Sequence, residues 1–446
     1  MNKRRSLFYL PMLFVLFVML ISITSTIQSA EEANSMVYMP LVSKPVARFW
    51  FQIYGDDWRV KSAVAAPDHG ILLVGNRTLL RLNSQGTVIW YKETDLSHLS
   101  AVQPISDGGF VIAGGKNGQA IVMKLSDAGS IIWQKAYYGD DGEGAYDISP
   151  TTDGGYIVVG ASTSFGPGYS SAWVFKLNEV GEISWQTTLG GTSAISLAGA
   201  DLVRQTPDNG YIISADPADS AQGFLFKLNS AGVLEWQRLY DGSPLFWGAN
   251  INDILPLANG DYLVAGRRRG DNHWDAWVAY LNSNGHIVWQ KGYGYPGYFT
   301  DITASPDGHF VLSGYFNTNT WLHKMDINGT TIWNKRYGDV NAGSALENIL
   351  VHTDGTLIAV GYICVPSSQC STGVLWLNSE GTIEDCPWVT DLSVTLDGMT
   401  STVQAGGQTV GTSQAITAAA NITIQDLPHP QSVLHCSSDQ LDACQP

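Results

Sequence analysis

Basic residues and cysteine are both scarce in this 446-residue chain, and cysteine is confined to one end. Lys plus Arg number 24 against 40 Asp plus Glu, a net charge of −16. The first thirty residues hold three of the basic residues and no acid, so the remainder carries 21 − 40 = −19. Such a surface repels nucleic-acid phosphates and anionic lipid, which argues against both as partners. No cysteine precedes Cys364, no two cysteines are adjacent, and neither their spacing nor a nearby histidine makes a zinc pattern. The phrases G-x-S-x-G, H-E-x-x-H and the phosphate loop are missing, and the nine histidines are scattered. Hydrolase and metalloenzyme readings therefore have no motif to stand on.

The one long apolar run, Leu7 to Ile23, follows Lys3, Arg4 and Arg5 and leads to Ala30. That is the layout of a secretory leader, and cleavage near Ala30 is expected. Gln28 is a poor residue three places before the cut, so a retained N-terminal anchor stays open. The domain plan is a signal peptide over 1–30, a linker over 31–47, a main domain over 48–387 and a Ser/Thr/Ala-rich tail over 388–446. Export makes disulfides plausible for the five cysteines. Cys364 and Cys370 flank a five-residue loop and are the favoured pair; the pairing of Cys386, Cys436 and Cys444 stays open.

A short phrase recurs at Gly86, Gly129, Gly181, Gly232, Gly285, Gly329 and Gly381: an apolar residue, a small polar residue, two variable residues, then glycine. Six of these glycines are followed four residues later by tryptophan, at Trp90, Trp133, Trp185, Trp236, Trp289 and Trp333. A period near 40 to 50 residues built from short β-rich segments predicts an all-β propeller of four-stranded blades. Asp153-Gly154-Gly155, Asp107-Gly108-Gly109, Asp307-Gly308 and Asp354-Gly355 mark the first hairpin turn of a blade, where glycine supplies positive φ. One sheet with two apolar faces cannot stand alone, and the tryptophans are expected to fill the gaps between stacked sheets.

The seventh repeat has Asp385 where the tryptophan belongs. Phe49 to Asp56 matches Trp133 to Asp140 (WQKAYYGD), so Trp50 is expected to supply the outer strand of the last blade. Closure removes a sheet edge that invites aggregation. The count is seven blades, ending in a short Ser/Thr-rich tail, which reads as laid on the propeller or as a spacer to the cell surface.

The run Phe175 to Trp185 (FKLNEVGEISW) resembles the tryptophan-docking repeat of quinoprotein-type β-propellers. That family includes quinone-dependent dehydrogenases and a cofactor-free outer-membrane assembly propeller. The resemblance implies the fold and says little of activity. A quinone enzyme of this family would need a calcium site and commonly a vicinal disulfide, so no cofactor is expected here.

The repetitive turns share one face; the variable loops and the blade-to-blade connections share the other, where ligands are usually met. Candidate ligand-binding residues there are Asp147, Asp201, Asp253, Asp301 and Asn348, each just before its blade's first turn, together with Arg267, Trp274, Trp247 and Tyr298. Clustered carboxylates suit a hard cation or a polar ligand; equally, each side chain could cap backbone N–H groups of its own loop. The expectation is an exported or cell-surface, monomeric, non-catalytic scaffold that binds an extracellular protein or glycan. The alternative is a propeller hydrolase or oxidoreductase that uses the ring of acids.

Overall fold

A computed structural model describes residues 50–383 apart from 55–57, 167–169, 191–196, 218–222, 242–248, 270–273, 295, 318, 338–343 and 365–369, and, beyond these, the backbone of seven short strands. The expected leader and linker, and Trp247, Cys386 and Cys444, lie outside the described residues.

The fold is a seven-bladed β-propeller whose blades each hold four antiparallel strands in sequence order. The third blade is representative, with strands Glu143–Pro150, Tyr156–Ser162, Ser171–Leu177 and Ile183–Gly190 from the channel outward. Its two middle strands are buried at every position because neighbouring blades cover both faces. The seventh blade takes Ala345–Val351, Leu357–Cys364 and Cys370–Leu377 and then Trp50–Tyr54, with Trp50 opposite Trp376 and Tyr54 opposite Thr372. The N-terminal strand thus closes the ring, as the missing tryptophan at Asp385 implies.

One contact recurs between blades. At the third turn the glycine has positive φ, from 68° at Gly381 to 79° at Gly232. The Asn178 side chain accepts from the N–H groups of Val180 and Glu182 and so holds that turn in the third blade. The tryptophan of the preceding blade lies on this glycine: a Cβ at Gly181 would sit 2.9 Å from the Trp133 ring. The tyrosine four residues after the tryptophan then donates to the glycine carbonyl. Tyr54 reaches Gly86, Tyr137 reaches Gly181, Tyr240 reaches Gly285, Tyr293 reaches Gly329 and Tyr337 reaches Gly381, at 2.6 to 2.8 Å.

The face carrying the repetitive turns satisfies itself. Each of several turn aspartates meets a cation from the third strand: Asp107–Lys124 at 2.7 Å, Asp153–Lys176 at 2.9 Å, Asp208–Lys227 at 2.8 Å and Asp307–Lys324 at 2.6 Å. Burial alone would raise Asp208, but Lys227 and the Thr206 hydroxyl outweigh it and hold the carboxyl down at about 2.

The tail follows the ring backwards. Val389–Asp391 pairs with the outer strand of the sixth blade, Asp397–Gly398 with the fifth, Thr402–Ala405 with the fourth and Thr409–Gly411 with the third. Ile416–Ala419, Ile424–Asp426 and Ser432–Ser437 then pair with the second, first and seventh. Every four-stranded blade therefore gains a fifth strand, and the tail is a belt on the propeller rather than a spacer leading away from it. Most of its strands begin seven or eight residues apart, and that much extended chain reaches about 25 Å, a stride that carries it from one blade edge to the next.

Ending the chain at Pro387 would bare the outer edges of all seven blades. The truncated protein is expected to associate as its concentration rises, in light scattering, and to melt earlier than the full chain. A monomeric truncation with an unchanged melting midpoint would mean that the belt protects nothing.

Candidate functional site at the channel mouth

The innermost strands are not regular. Six of them carry a bulge, between Leu99 and Ala101, Ala145 and Asp147, Ala200 and Leu202, Ile251 and Asp253, Phe299 and Asp301, and Leu346 and Asn348. A bulge leaves one residue without a cross-strand partner and re-aims side chains. The bulged residues Ser100, Tyr146, Asp201, Asn252, Thr300 and Glu347, with Lys61 in the first blade, line a cavity of about 870 Å³.

The residues just past the bulges form a second ring that stitches blade to blade. Asp147 Oδ2 accepts from the Val203 N–H at 2.9 Å, Asp253 Oδ2 from Ile302 at 3.1 Å and Asp301 Oδ2 from Ile349 at 2.9 Å. Ser62 Oγ accepts from Val102 in the same way at 3.3 Å. The carboxylates thus cap the next blade's innermost strand rather than their own loops. Asn348 occupies the matching position, with its side-chain oxygen buried and without a hydrogen-bond partner among the described residues.

Arg204 lies across this ring. Its Nη1 donates to Asp147 at 2.6 Å and to the Val203 carbonyl at 2.9 Å, and its Nη2 donates to Asp253 at 2.9 Å. Burial would lower the guanidinium, but the carboxylates of Asp147 and Asp253 outweigh it, so Arg204 stays charged. Burial raises Asp147, with Arg204 opposing. Asp301 is pushed well above the usual carboxylate range, first by burial and then by Asp253, to which it is hydrogen-bonded. Burial and the neighbouring carboxylate thus favour the neutral form of Asp301, which could donate to Asp253. The guanidinium already holds the place a cation would take, and among the described residues no three His, Cys, Asp or Glu side chains converge as a metal site.

Asp201 does not belong to this ring. It is the bulged residue of the fourth blade, and Leu202 takes the position past the bulge. Asp147, Leu202, Asp253, Asp301 and Asn348 all stand seven residues before a positive-φ turn residue, namely Gly154, Asn209, Gly260, Gly308 and Gly355. Counting from the turn finds this register; aligning on aspartate, as the sequence reading does, misses it by one. Arg204 escapes the sequence reading for the same reason.

At the outer rim, Arg267 donates from Nε to Asn250 at 3.1 Å and stacks over Trp274 at 4.5 Å. Tyr298 stacks on Tyr315, centroids 5.4 Å apart, and bonds to the Tyr362 hydroxyl; Arg59 lies 4.9 Å over Tyr362. Burial pushes Glu347 up, and Lys61 and Arg59 work against that. Asp147, Asp201, Asp253, Asp301, Asn348, Arg267 and Tyr298 all line the one cavity, and Trp274 touches it through Arg267. The backbones of Cys364 and Cys370 stand opposite each other at the end of their hairpin. Lys61 and Arg59 have no repeat signal and were not legible as site residues.

Residues 57–223 match the family model described as outer membrane protein assembly factor BamB. No curated protein matches the chain. Among solved structures it is similar to the Neurospora crassa Pan2 WD40 domain, at 10% identity and a TM-score of 0.50, over 76% of this chain and 97% of that one. The WD40 propeller domain of Doa1 is 15% identical with a TM-score of 0.48, over 74% and 96%. The extracellular domain of a one component system from B. thetaiotaomicron is 11% identical with a TM-score of 0.47, over 76% of this chain and 42% of that one. At such identities these likenesses concern fold alone.

Replacing Arg204 with Gln strands two buried carboxylates, a change that costs about 3 kcal/mol or more. Urea unfolding at pH 7 is expected to read that loss; a variant within 1 kcal/mol of the parent (roughly the value of an ordinary hydrogen bond) would contradict the bridging role. Asp301→Asn keeps a neutral donor toward Asp253 and an acceptor for Ile349. Because the folded pKa of Asp301 is raised, its stabilising contribution is full below the unfolded value of about 3.9 and is lost as pH rises through the folded value. The Asn variant lacks that loss, so its stability relative to the parent should improve from pH 4 to pH 8. A difference that stays flat over that range would refute a shared proton.

Proposed function

The chain carries quinoprotein-type propeller repeats, and we propose that it acts as an exported, non-catalytic scaffold that binds a protein or a glycan on the face of its variable loops. One observation carries this reading. Three of the five acids that line the channel, Asp147, Asp253 and Asp301, are committed to the scaffold, each bonded to the next blade and two of them to Arg204. The rim outside them presents aromatic and cationic groups at Arg267, Trp274, Tyr298 and Arg59. Aromatic faces beside guanidinium groups are a frequent makeup of binding surfaces.

A glycoside hydrolase needs one carboxylic acid and one carboxylate free to reach a substrate. Asp253 and Asp301 stand side by side, but their oxygens are taken by Ile302, Ile349 and Arg204. A quinone with its calcium ion fits poorly as well. Arg204 stands where calcium would need oxygen ligands, and no two cysteines adjoin. Export rests on the leader-like N-terminus; among the described residues no helix is long and apolar enough to cross a membrane. The Cys364–Cys370 bridge belongs to the same proposal, because their backbones are directly opposed.

Screening the purified full chain against a glycan array and extracellular extracts tests this. Tyr298→Ala is expected to weaken any partner found by about tenfold, on the scale of one anchor side chain worth 1.4 kcal/mol. Val180→Ser, on the opposite face and 49% exposed, should leave binding unchanged. Turnover of an oligosaccharide by the purified protein, or binding that responds to Val180 and not to Tyr298, would overturn the assignment.

A further inference from the structure

The docking tryptophans have a second companion besides the glycine. Five of the six that follow a repeat glycine have a cation two residues on: Lys92, Lys135, Arg238, Lys291 and Lys335. Residues two apart on a strand share one side, so each cation stands on the same side as its indole. Lys92 lies 5.6 Å from the centre of the Trp90 ring, Arg238 5.5 Å from Trp236 and Lys291 5.6 Å from Trp289. Lys291 also donates to the carbonyl of Asn328, the residue before the next blade's turn glycine, at 2.6 Å. At that junction an indole ring and a turn carbonyl together seat a cation supplied by the same strand.

The third blade departs from this rule. Thr187 stands two residues after Trp185, and Leu189 stands where the tyrosine belongs. Trp185 otherwise matches Trp236, since Tyr211 lies 5.7 Å from it as Tyr262 lies 6.2 Å from Trp236. A cavity of about 290 Å³ opens at this junction, lined by Trp185, Gln186, Thr187 and the stretch Ala231–Leu234 of the fourth blade's turn. Ala231 holds the position of Asn328, one residue before the turn glycine. A threonine is four heavy-atom bonds too short to carry a charge over the indole, and the cavity lies where the lysine or arginine head of the other blades would. Its volume is just under the range of small-ligand sites and suits one long side chain.

We propose that this cavity binds a lysine or arginine side chain of a basic partner protein, with the head over the Trp185 ring and its N–H groups on the Ala231 carbonyl. No charged side chain lines the cavity, so an anion would find no partner there. The negative face of the indole attracts a cation, and the net charge of −16 steers basic chains toward this surface. The site lies on the turn side of the ring and is separate from the loop-face reading, which its failure would leave standing.

Fluorine NMR on the full-length protein labelled with 5-fluorotryptophan tests this, with Trp185→Phe identifying the signal of that indole. Tetralysine is the probe and is expected to shift the Trp185 signal saturably while the signals of Trp90, Trp236 and Trp289 stay in place. A neutral tetraglutamine peptide should move none of them. Thr187→Lys supplies the cation from the same strand and is expected to weaken tetralysine at Trp185 by about fivefold or more, the scale of one cation–π contact. Ser184→Lys adds the same charge at an exposed position on the other side of the strand and should keep the response. Arg238→Thr is the reciprocal change, after which the Trp236 signal should begin to respond, and it decides the matter where Thr187→Lys does not fold. Tetralysine that leaves Trp185 unmoved, or shifts all four indoles alike, would overturn the proposal. So would a Trp185 response that survives Thr187→Lys, or a Trp236 signal that stays silent after Arg238→Thr.

Discussion

A tryptophan and a tyrosine from one blade rest on a single glycine of the next, and the ring depends on that contact. The glycine has positive φ, and its missing Cβ leaves the space the indole fills. The tyrosine hydroxyl then binds the carbonyl of the same glycine, in a buried place where an unpaired carbonyl would cost about 1 to 3 kcal/mol. Four blades show the pair, at Gly181, Gly285, Gly329 and Gly381, and Tyr54 makes the same hydroxyl bond to Gly86. In the first blade Thr94 replaces the tyrosine, while Trp90 donates its indole N–H to the Asp127 carbonyl at 2.9 Å, as Trp236 does to Ser283 in a blade that keeps its tyrosine. In the third, Leu189 replaces it and is fully buried in the core. The docking site therefore tolerates loss of the hydroxyl more readily than loss of the glycine.

The same logic operates at the channel, with aspartate in place of tyrosine. Asp147, Asp253 and Asp301 each reach across to a backbone N–H of the next blade, so the two inter-blade contacts grip the ring near its centre and at its turns. Such a use of acids has an electrostatic consequence. Buried carboxylates must be neutralised; Arg204 meets that need for two of them, and burial beside Asp253 pushes Asp301 toward its neutral form. A channel arranged in this way is rigid and chemically quiet, and the groups left for a ligand are those of the bulges and the rim.

Repetition decided what could be read from the sequence. The period, the seven glycines and the six tryptophans recur from blade to blade, and Tyr54 and Tyr137 each stand four residues after a tryptophan, Trp50 and Trp133. The tyrosine bond went unread although its spacing was visible, since tyrosine also appears in strands for ordinary packing reasons. The acid ring was legible only in part. A bulge adds one residue to the strand, and in the fourth blade the aspartate sits on that extra residue, which shifted Asp201 into a position that belongs to Leu202. The belt was harder still. Its strands are two to six residues long, too short to carry the apolar alternation by which longer strands are recognised.

The belt and the closing strand bear on the site together. Trp50–Tyr54 pairs with the seventh blade on one side and with Ser432–Ser437 on the other, so the seventh sheet holds both a strand from the start of the domain and the last strand of the tail. That sheet also supplies Glu347 and Tyr362, while Arg59 and Lys61 follow directly from the closing strand. Arg59 and Lys61, which act on Glu347, are therefore brought to the mouth at the seam where the ring is shut. Two cations that the repeat cannot encode arrive there because the chain must enter at that point, and a seam is one place in a repetitive ring where a non-repeating site can be built without disturbing the other blades.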